Sequence, residues 1–256
     1  MGIADDVREK AVLVVGGSRG IGRAIAARFS ELGAEVALTA RSAETASEVA
    51  ASIAREHGQT VSGHALDVTD RARIREVVEG WEPRSRIPDV LVYNAGISPV
   101  FASAEKVSEE DWDAILATNL TGAFVAAQAF ARRLISEERP GSIVLVGSIN
   151  SVVGDPRLVA YTASKAGLAG MSKTLSLDWA RHNIRVNTVA PGYVATDLTS
   201  GLQQNEGLRK AITDRTPLNR LADPAEIADL VVFLASDSAS FITGVVYPLD
   251  GGWTTW

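Results

Sequence analysis

Residues 11–32 read AVLVVGGSRGIGRAIAARFSEL: a short apolar run, a glycine-rich turn and an amphipathic stretch in direct succession. Glycines let the backbone turn tightly and approach a bound group closely, and a helix that starts there presents free N–H groups and its positive dipole end to an anion. The stretch therefore predicts a pyrophosphate site, although a tight turn without a ligand has the same composition. The residues expected to form it are Gly16, Ser18, Arg19, Gly20, Ile21 and Gly22.

Short β-branched runs alternate with longer amphipathic stretches along the whole chain, without a linker. Seven strands are predicted over residues 11–15, 36–39, 61–66, 90–93, 142–146, 185–189 and 245–248. Six helices are predicted over residues 20–32, 43–57, 71–80, 112–134, 158–181 and 224–234. Such alternation favours parallel strands with right-handed crossovers. The expected fold class is α/β: one NAD(P)-binding Rossmann domain over 1–256, with a doubly wound seven-stranded parallel sheet and helices on both faces. An eight-fold barrel fits the glycine-rich first turn poorly.

The composition excludes several classes of protein. With 46% hydrophobic and 22% charged residues, the chain is an ordinary globular sequence. It has no cysteine and only three histidines, so thiolate zinc sites and disulfides are excluded, and we expect no metal. A net charge of -6 argues against a nucleic-acid partner or an anionic membrane. Because the acidic start lacks an apolar signal segment and the uncharged run 114–131 contains polar residues, we expect a cytoplasmic protein without a membrane partner.

Residues 193–223 differ from the rest of the chain, being polar and poor in β-branched residues. Long segments after the carboxyl ends of parallel strands are often lids over a substrate. We expect a substrate lid here, with an ordinary pair of surface helices as the alternative.

The end of the second strand indicates which dinucleotide is bound. A carboxylate there would bind the adenosine ribose hydroxyls and repel a 2′-phosphate, but the sequence has Arg41 and Ser42 instead. Arg41 and Arg19 can form a positive fork around the extra phosphate. We therefore expect NADP(H) to be preferred over NAD(H); two solvated arginines are the alternative.

Four polar residues farther along the chain point to catalysis. Tyr161 and Lys165 are four residues apart in a predicted helix, so the ammonium can lie near the phenol. A nearby cation favours the phenolate, and a pKa lowered by about 3 corresponds to roughly 4 kcal/mol. Ser148 ends the fifth strand, where it can donate a hydrogen bond to a carbonyl oxygen that gains charge, and Asn119 lies in the buried helix. Taken singly, each residue also suits a structural role.

Together these features resemble the short-chain dehydrogenase/reductase family in its roughly 250-residue form, over essentially the whole chain. Besides the glycine turn and the four polar residues, the matching motifs are Asp67-Val68, Asn94-Ala95-Gly96, Asn187 in IRVNTVAPG, Pro191-Gly192, Thr196 and the closing ITGVVYPLDGG. The resemblance implies a metal-independent, NAD(P)-dependent alcohol dehydrogenase or ketone reductase.

The resemblance also implies roles for these residues. Tyr161 would be the general acid in reduction and the base in oxidation, and Ser148 would orient the carbonyl. Lys165 would bind the nicotinamide ribose and lower the tyrosine pKa, while Asn119 would hold a water in the proton relay. Cofactor contacts are further implied for Asp67, Val68, Asn94, Ala95, Gly96, Val189, Pro191, Gly192, Tyr193, Val194 and Thr196. Substrate contacts are expected from Ser148, Asn150, Tyr161 and Tyr193, with Ile97, Ser98, Ser151, Leu198 and Leu202 as further candidates.

Three positions depart from the family pattern. Val15 replaces the usual threonine before the first glycine, Tyr93 replaces an asparagine, and Gly147 replaces the first serine of a pair. All three are supporting positions, so we still expect the activity. The detailed geometry of the turn is less certain to follow the family pattern.

Two other functions remain open. One is a nicotinamide-dependent epimerase or dehydratase, whose glycine spacing and length usually differ; the other is a catalytically silent NADP-binding regulator. The runs PGYVATDLTSGL and NAGISPVF are similar to gluconate 5-dehydrogenases, so the substrate is expected to be a polyol or sugar acid, with a 3-oxoacyl thioester as the alternative. Excess apolar surface on the helices at 114–131 and after Tyr161 predicts a dimer or tetramer.

Overall fold

The computed structural model describes residues 2–83, 87–196 and 199–255, apart from the side chains of residues 202 and 203. Its strands are β1 (Ala11–Val15), β2 (Glu35–Ala40), β3 (Val61–Ala65), β4 (Val90–Tyr93), β5 (Gly141–Val146), β6 (Ile184–Pro191) and β7 (Val246–Leu249). They form one parallel sheet in the order β3-β2-β1-β4-β5-β6-β7. The predicted seven-stranded, doubly wound sheet is confirmed.

Helices connect the strands. They are α1 (Ile3–Val7), α2 (Gly20–Glu31), α3 (Ala43–His57), α4 (Arg71–Gly80), α5 (Glu109–Leu116), α6 (Gly122–Ser136), α7 (Val159–Trp179), α8 (Ser200–Gln204), α9 (Glu206–Arg215) and α10 (Pro224–Ala235). Short 3-10 turns lie at Ala104–Lys106, Ile149–Ser151, Ala180–His182, Asp237–Ala239 and Trp253–Thr255.

The central strands β1 and β4 are buried on both faces because they are apolar or aromatic at every position. In β1, Ala11, Leu13 and Val15 pack into one core cluster, while Val12 and Val14 pack into another on the opposite face. The first cluster includes side chains of α4, α6 and α7, and the second includes side chains of α2, α3 and α10. Burying one such aliphatic side chain contributes about 1.5–3 kcal/mol, so the two layers hold the sheet edge rigidly.

The predicted helix at 112–134 differs from what is observed. The helix begins earlier, at Glu109, because the Ser108 side chain accepts a hydrogen bond from the Asp111 amide and caps it. It is also interrupted by a π-helical segment, Ala117–Thr121, which separates α5 from α6. Periodicity cannot predict such an interruption, and π-helical turns are often found at functional sites.

Other differences are small. The sequence did not predict α1, β6 extends through Pro191, and α7 ends at Trp179. The polar segment 193–223 contains α8 and α9, and its residues 197 and 198 lie outside the described part of the chain.

One stretch, Glu109–Ser136, is long and apolar enough to cross a membrane by length and composition alone. More than half of its most apolar window, 56%, is buried inside the protein. It contains the α6 side chains that pack on the sheet, as a core helix does.

Sheet order places the candidate site. The chain proceeds from β1 outward to β3 and then returns to β4 on the other side of β1. In open α/β sheets, ligands bind at the carboxyl ends of the strands where this reversal occurs. The turn after β1 and the segment after β4 therefore meet at the expected position.

Candidate active site

The glycine-rich turn packs so closely that Gly16 and Gly22 have no room for a side chain. Gly16 has φ 79°, and an added Cβ would lie 2.8 Å from the backbone of Ala95. A Cβ on Gly22 would clash with the Gly16 carbonyl oxygen. Only a glycine at this position lets α2 approach the turn so closely. Asn94 Nδ2 donates to that carbonyl at 2.8 Å, which ties the end of β4 to the turn.

A hydroxyl from β2 braces the turn. Thr39, which is fully buried, accepts a hydrogen bond from the Gly16 amide at its Oγ1 (3.0 Å), and its carbonyl oxygen accepts one from the Gly17 amide (3.0 Å). The brace that Val15 lacks is therefore supplied by Thr39. Sequence reasoning missed this residue, although a threonine at the end of the neighbouring strand was a usable signal.

The start of α2 suits an anion. Arg19 is exposed at the N-cap, no side chain caps the helix, and its first turn has no acidic residue. Ser18 and Ile21 are partly buried beside the turn. A Cβ on Gly20 would lie 3.4 Å from Thr196 Cγ2, so the segment after β6 contacts the turn. These features fit the pyrophosphate of a dinucleotide.

At the end of β2, Arg41 is exposed and near a carboxylate. Asp67 Oδ1 accepts hydrogen bonds from the Thr69 amide (2.9 Å) and hydroxyl (2.8 Å), which lower the pKa of Asp67, and the charge of Arg41 lowers it further. Ser42 caps α3 by accepting a hydrogen bond from the Thr45 amide, so its Oγ is already used. Arg41 is the group here that is best placed to meet a phosphate.

The segment after β4 faces the catalytic candidates. A Cβ on Gly96 would lie 3.4 Å from Asn119 Oδ1 and 3.5 Å from Lys165 Nζ. The structure therefore brings the Asn94-Ala95-Gly96 motif and two of the four predicted catalytic residues together. Val68 is buried beneath the same edge, next to the exposed Asp67.

Asn119 clamps this segment. Its Oδ1 accepts from the Ile97 amide (2.8 Å), and its Nδ2 donates to the Ile97 carbonyl (3.0 Å) and to Ser164 Oγ (3.0 Å). The side chain is fully buried within the π-helical segment. Both N–H groups of the Asn119 side-chain amide already donate to other acceptors. A water would therefore have to be held by backbone groups of the π-helical segment.

Tyr93 fixes the same segment from β4. Its hydroxyl donates to the Thr118 carbonyl at 2.6 Å, and the ring is buried. A Cβ on Gly122 would lie 2.5 Å from that hydroxyl, so glycine there makes room for the phenol. Burial, together with the charge of Asp67, raises the pKa of Tyr93, which keeps the hydroxyl a donor.

Ser148 lies at the carboxyl end of β5 and caps a short turn. Its Oγ accepts from the Asn150 amide (3.2 Å) and donates to Asn150 Oδ1 (3.2 Å). It is also hydrogen-bonded to Tyr161. The departure at Gly147 has a steric reason, because an added Cβ would lie 2.7 Å from Ser151 Oγ.

Burial acts on both Tyr161 and Lys165. Burial raises the pKa of Tyr161, and the hydrogen bond with Ser148 opposes this rise. Lys165 Nζ lies 5.7 Å from the tyrosine ring centroid and donates to the Val146 carbonyl at 2.9 Å, and burial lowers the pKa of Lys165 to about 8. Burial therefore dominates the pKa of Tyr161, and the lowering of this pKa by the lysine stays a prediction.

The segment after β6 closes the other side of the site. A Cβ on Gly192 would lie 2.9 Å from Asp250 Cα, so Pro191-Gly192 passes closely over the C-terminal turn. Val194 is buried and pairs with Ala222. Of the pocket candidates here, Leu198 lies outside the described residues and the side chain of Leu202 is likewise not described.

Tyr193 belongs to a small aromatic cluster that sequence reasoning missed. Its ring lies 4.9 Å from that of Trp253, at 59°, and its hydroxyl donates to Asp155 at 3.4 Å. Arg215 places its guanidinium 4.2 Å from the centroid of the Trp253 ring. These residues are far apart in the chain, and nothing in their spacing indicated the contact. Within the described ranges, no group of three or more histidine, aspartate or glutamate side chains is placed to hold a metal.

Comparison with known proteins agrees with this geometry. A family model described as Enoyl-(Acyl carrier protein) reductase matches residues 15–254. The chain is 41% identical to the 3-oxoacyl-(acyl-carrier-protein) reductase FabG of Thermotoga maritima (95% of this chain, 97% of that protein). It is 37% identical to the gluconate 5-dehydrogenase of Gluconobacter oxydans (94% and 93%). The crystal structure of a gluconate 5-dehydrogenase from Burkholderia cenocepacia, in complex with NADP and tartrate, superposes with a TM-score of 0.93 at 32% identity and covers 100% of both chains.

Proposed function

The chain belongs to the short-chain dehydrogenase/reductase family, and from this premise we propose that it is an NADP(H)-dependent enzyme that interconverts a secondary alcohol and a ketone, with Tyr161 as the general acid and base. Its family makes the protein an alcohol/ketone oxidoreductase. The observation that carries the proposal is that Ser148, Tyr161 and Lys165 converge at the sheet edge that also bears the glycine turn.

Residues of the edge fit the dinucleotide. The turn at Gly16 to Gly22 and the uncapped start of α2 would hold the pyrophosphate. Arg41 and Arg19 would bind the 2′-phosphate, and the NADP of the Burkholderia structure supports this preference. The remaining contacts would come from Ser42, Asp67, Val68, Asn94, Ala95, Gly96, Pro191, Gly192, Val194 and Thr196.

The bound dinucleotide would supply or accept the hydride. Tyr161 would donate its phenolic proton to the carbonyl oxygen in reduction, because its raised pKa keeps the phenol protonated at neutral pH. Ser148 would donate a hydrogen bond to the same oxygen as it gains charge. Lys165, whose ammonium lies behind the phenol, would stabilise the phenolate left after transfer, and Asn119 would keep Gly96 and Ile97 in position.

For the substrate, two classes have support. The relatives named gluconate 5-dehydrogenase and D-threitol dehydrogenase favour a sugar acid or polyol. The FabG relatives favour a 3-oxoacyl thioester. Asn150 and Tyr193 beside the catalytic edge are polar, and polar groups suit a hydroxylated substrate better than an acyl chain.

Three further expectations belong to the proposal. Residues 193–223 would cover the substrate, since α8 and α9 follow the segment that contacts Gly20. The protein would assemble into a dimer or tetramer through α6 and α7, where Phe124 and Leu177 are exposed apolar side chains. It would act in the cytoplasm, as one domain over 1–256.

Turnover with purified protein tests the proposal. We expect NADPH to be consumed with a panel of ketones, and NADP to be reduced with sugar acids or polyols. Arg41→Gln should raise the KM for NADPH about 10- to 100-fold and leave that for NADH within twofold, because the arginine contacts only the extra phosphate. Arg55→Gln, at the far end of α3, is the matched control. Absence of turnover with either dinucleotide across the whole panel would contradict the proposal.

A further inference from the structure

The cluster of Tyr193 and Trp253 includes the residue that follows the proposed catalytic Ser148. Ile149, which follows Ser148 in the chain, belongs to one apolar cluster with Trp253 and with Ile212 of α9, and Tyr193 packs against this cluster. Four separate segments of the chain thus meet beside the reacting centre. We call the surface formed by Ile149, Tyr193, Ile212 and Trp253 the wall. Its buried side is apolar.

The C-terminal turn holds Trp253 rigidly in this wall. The Asp250 carboxylate accepts from the amides of Gly252 and Thr254 (2.9 Å each) and from the Thr254 hydroxyl (2.6 Å). Trp253 is 5% exposed. The buried indole is therefore fixed in position.

The outer end of the wall is polar and carries both signs of charge. Arg215 ends α9 and is exposed, with its guanidinium stacked on the indole. Among the described ion pairs, none joins Arg215 to a carboxylate. Stacking keeps the guanidinium edge directed outward for a planar, bidentate contact. An arginine at a helix end is often merely solvated, but this one is fixed on a side chain of the wall.

Asp155 completes the polar end. Its contact with the Tyr193 hydroxyl is long, at 3.4 Å, so the carboxylate retains acceptor capacity for a shorter hydrogen bond. Burial and the charge of Asp155 together raise the pKa of Tyr193 to about 12, and the charge of Arg215 opposes this rise. Both charged groups therefore act on the same phenol, and the three side chains lie close together.

We propose that Asp155, Tyr193 and Arg215 form a substrate subsite that selects a small polyhydroxylated carboxylate. Arg215 binds the carboxylate, while Asp155 and Tyr193 bind hydroxyl groups along the carbon chain. A hydrocarbon acyl chain in this place would remove water from Asp155 and Arg215. It could not replace the hydrogen bonds that these groups make with water, so its binding would be unfavourable. The inference rests on the proposed oxidoreductase function and names its substrate class.

Kinetics with three kinds of substrate test the subsite. With NADP and D-gluconate, Arg215→Gln should raise KM about 10- to 100-fold with kcat within threefold, because it removes a charge-assisted contact made equally in the ground and transition states. The KM of the same variant for an uncharged polyol should change by less than twofold. Arg215→Lys should recover part of the affinity, and Arg209→Gln, on the same helix, is the matched control for loss of a charge.

A second variant probes the hydroxyl contacts. Asp155→Asn should lower kcat/KM at least fivefold for both gluconate and the uncharged polyol. If Arg215→Gln changed gluconate and polyol equally, or if the wild type used only acetoacetyl thioesters, the subsite would be refuted while the oxidoreductase function stood. If no substrate reacted with NADP(H), the proposed function itself would fail.

Discussion

At the scale of single residues, the three departures from the family pattern each have a compensating contact. Thr39 provides the hydroxyl that Val15 lacks, and Gly147 leaves the space that Ser151 occupies. Tyr93 is the least expected of the three, because its phenol reaches across from β4 to the carbonyl of Thr118. A departure from a motif can thus replace one support with another without changing the residues that carry the chemistry.

The contact of Tyr93 gives a prediction about stability. Tyr93→Phe removes the buried hydroxyl that donates to the Thr118 carbonyl, so the free energy of unfolding should fall by about 1–3 kcal/mol. Urea denaturation followed by circular dichroism measures the change. Tyr247→Phe, at a partly buried position of β7, is the control and should cost less. A Tyr93→Phe protein as stable as the wild type would mean that the hydrogen bond contributes nothing to the fold.

At the scale of elements, α2 must approach the turn after β1 without a side chain between them. Gly22→Ala would push a Cβ into the Gly16 carbonyl, so NADP affinity should fall at least tenfold and the protein should be less stable by more than 1 kcal/mol. Gly170→Ala, in α7 with nothing near its added Cβ, should be neutral or stabilising by up to about 1 kcal/mol. Fluorescence titration with NADP and thermal unfolding would measure both. Equal effects of the two alanines would contradict the close-approach account.

The elements also show what the sequence could and could not predict. The strands and the long helices followed from periodicity, since an apolar run such as that of β1 has one reasonable structure in an α/β alternation. The π-helical segment at Ala117–Thr121 did not follow, because it is fixed by Tyr93 and by the packing of α7 rather than by local propensity. The wall of Trp253 and Arg215 also depends on contacts between distant segments, which periodicity does not contain.

At the scale of the whole molecule, the same strands that form the sheet also position the candidate site. Strands β1, β2, β4, β5 and β6 each end at the candidate site, in the turn at Gly16, at Thr39, at Asn94, at Ser148 and at Gly192. The two apolar layers that bury the sheet therefore also fix the distances within the site. The acidic net charge of -6 is compatible with the proposed anionic cofactor, because its contacts would come from local arginines and a helix start.

We expect Tyr161 to transfer the proton that accompanies hydride transfer. The most direct test is the single-turnover rate of NADP reduction by the alcohol substrate, followed by nicotinamide absorbance between pH 6 and 9 for the wild type and Tyr161→Phe. Because burial raises the tyrosine pKa, the wild-type rate should rise roughly tenfold per pH unit as the phenolate forms. Tyr161→Phe should lose about 100- to 10,000-fold of that rate while it binds NADP normally. A Tyr161→Phe rate within tenfold of the wild type, with the same pH dependence, would contradict the account.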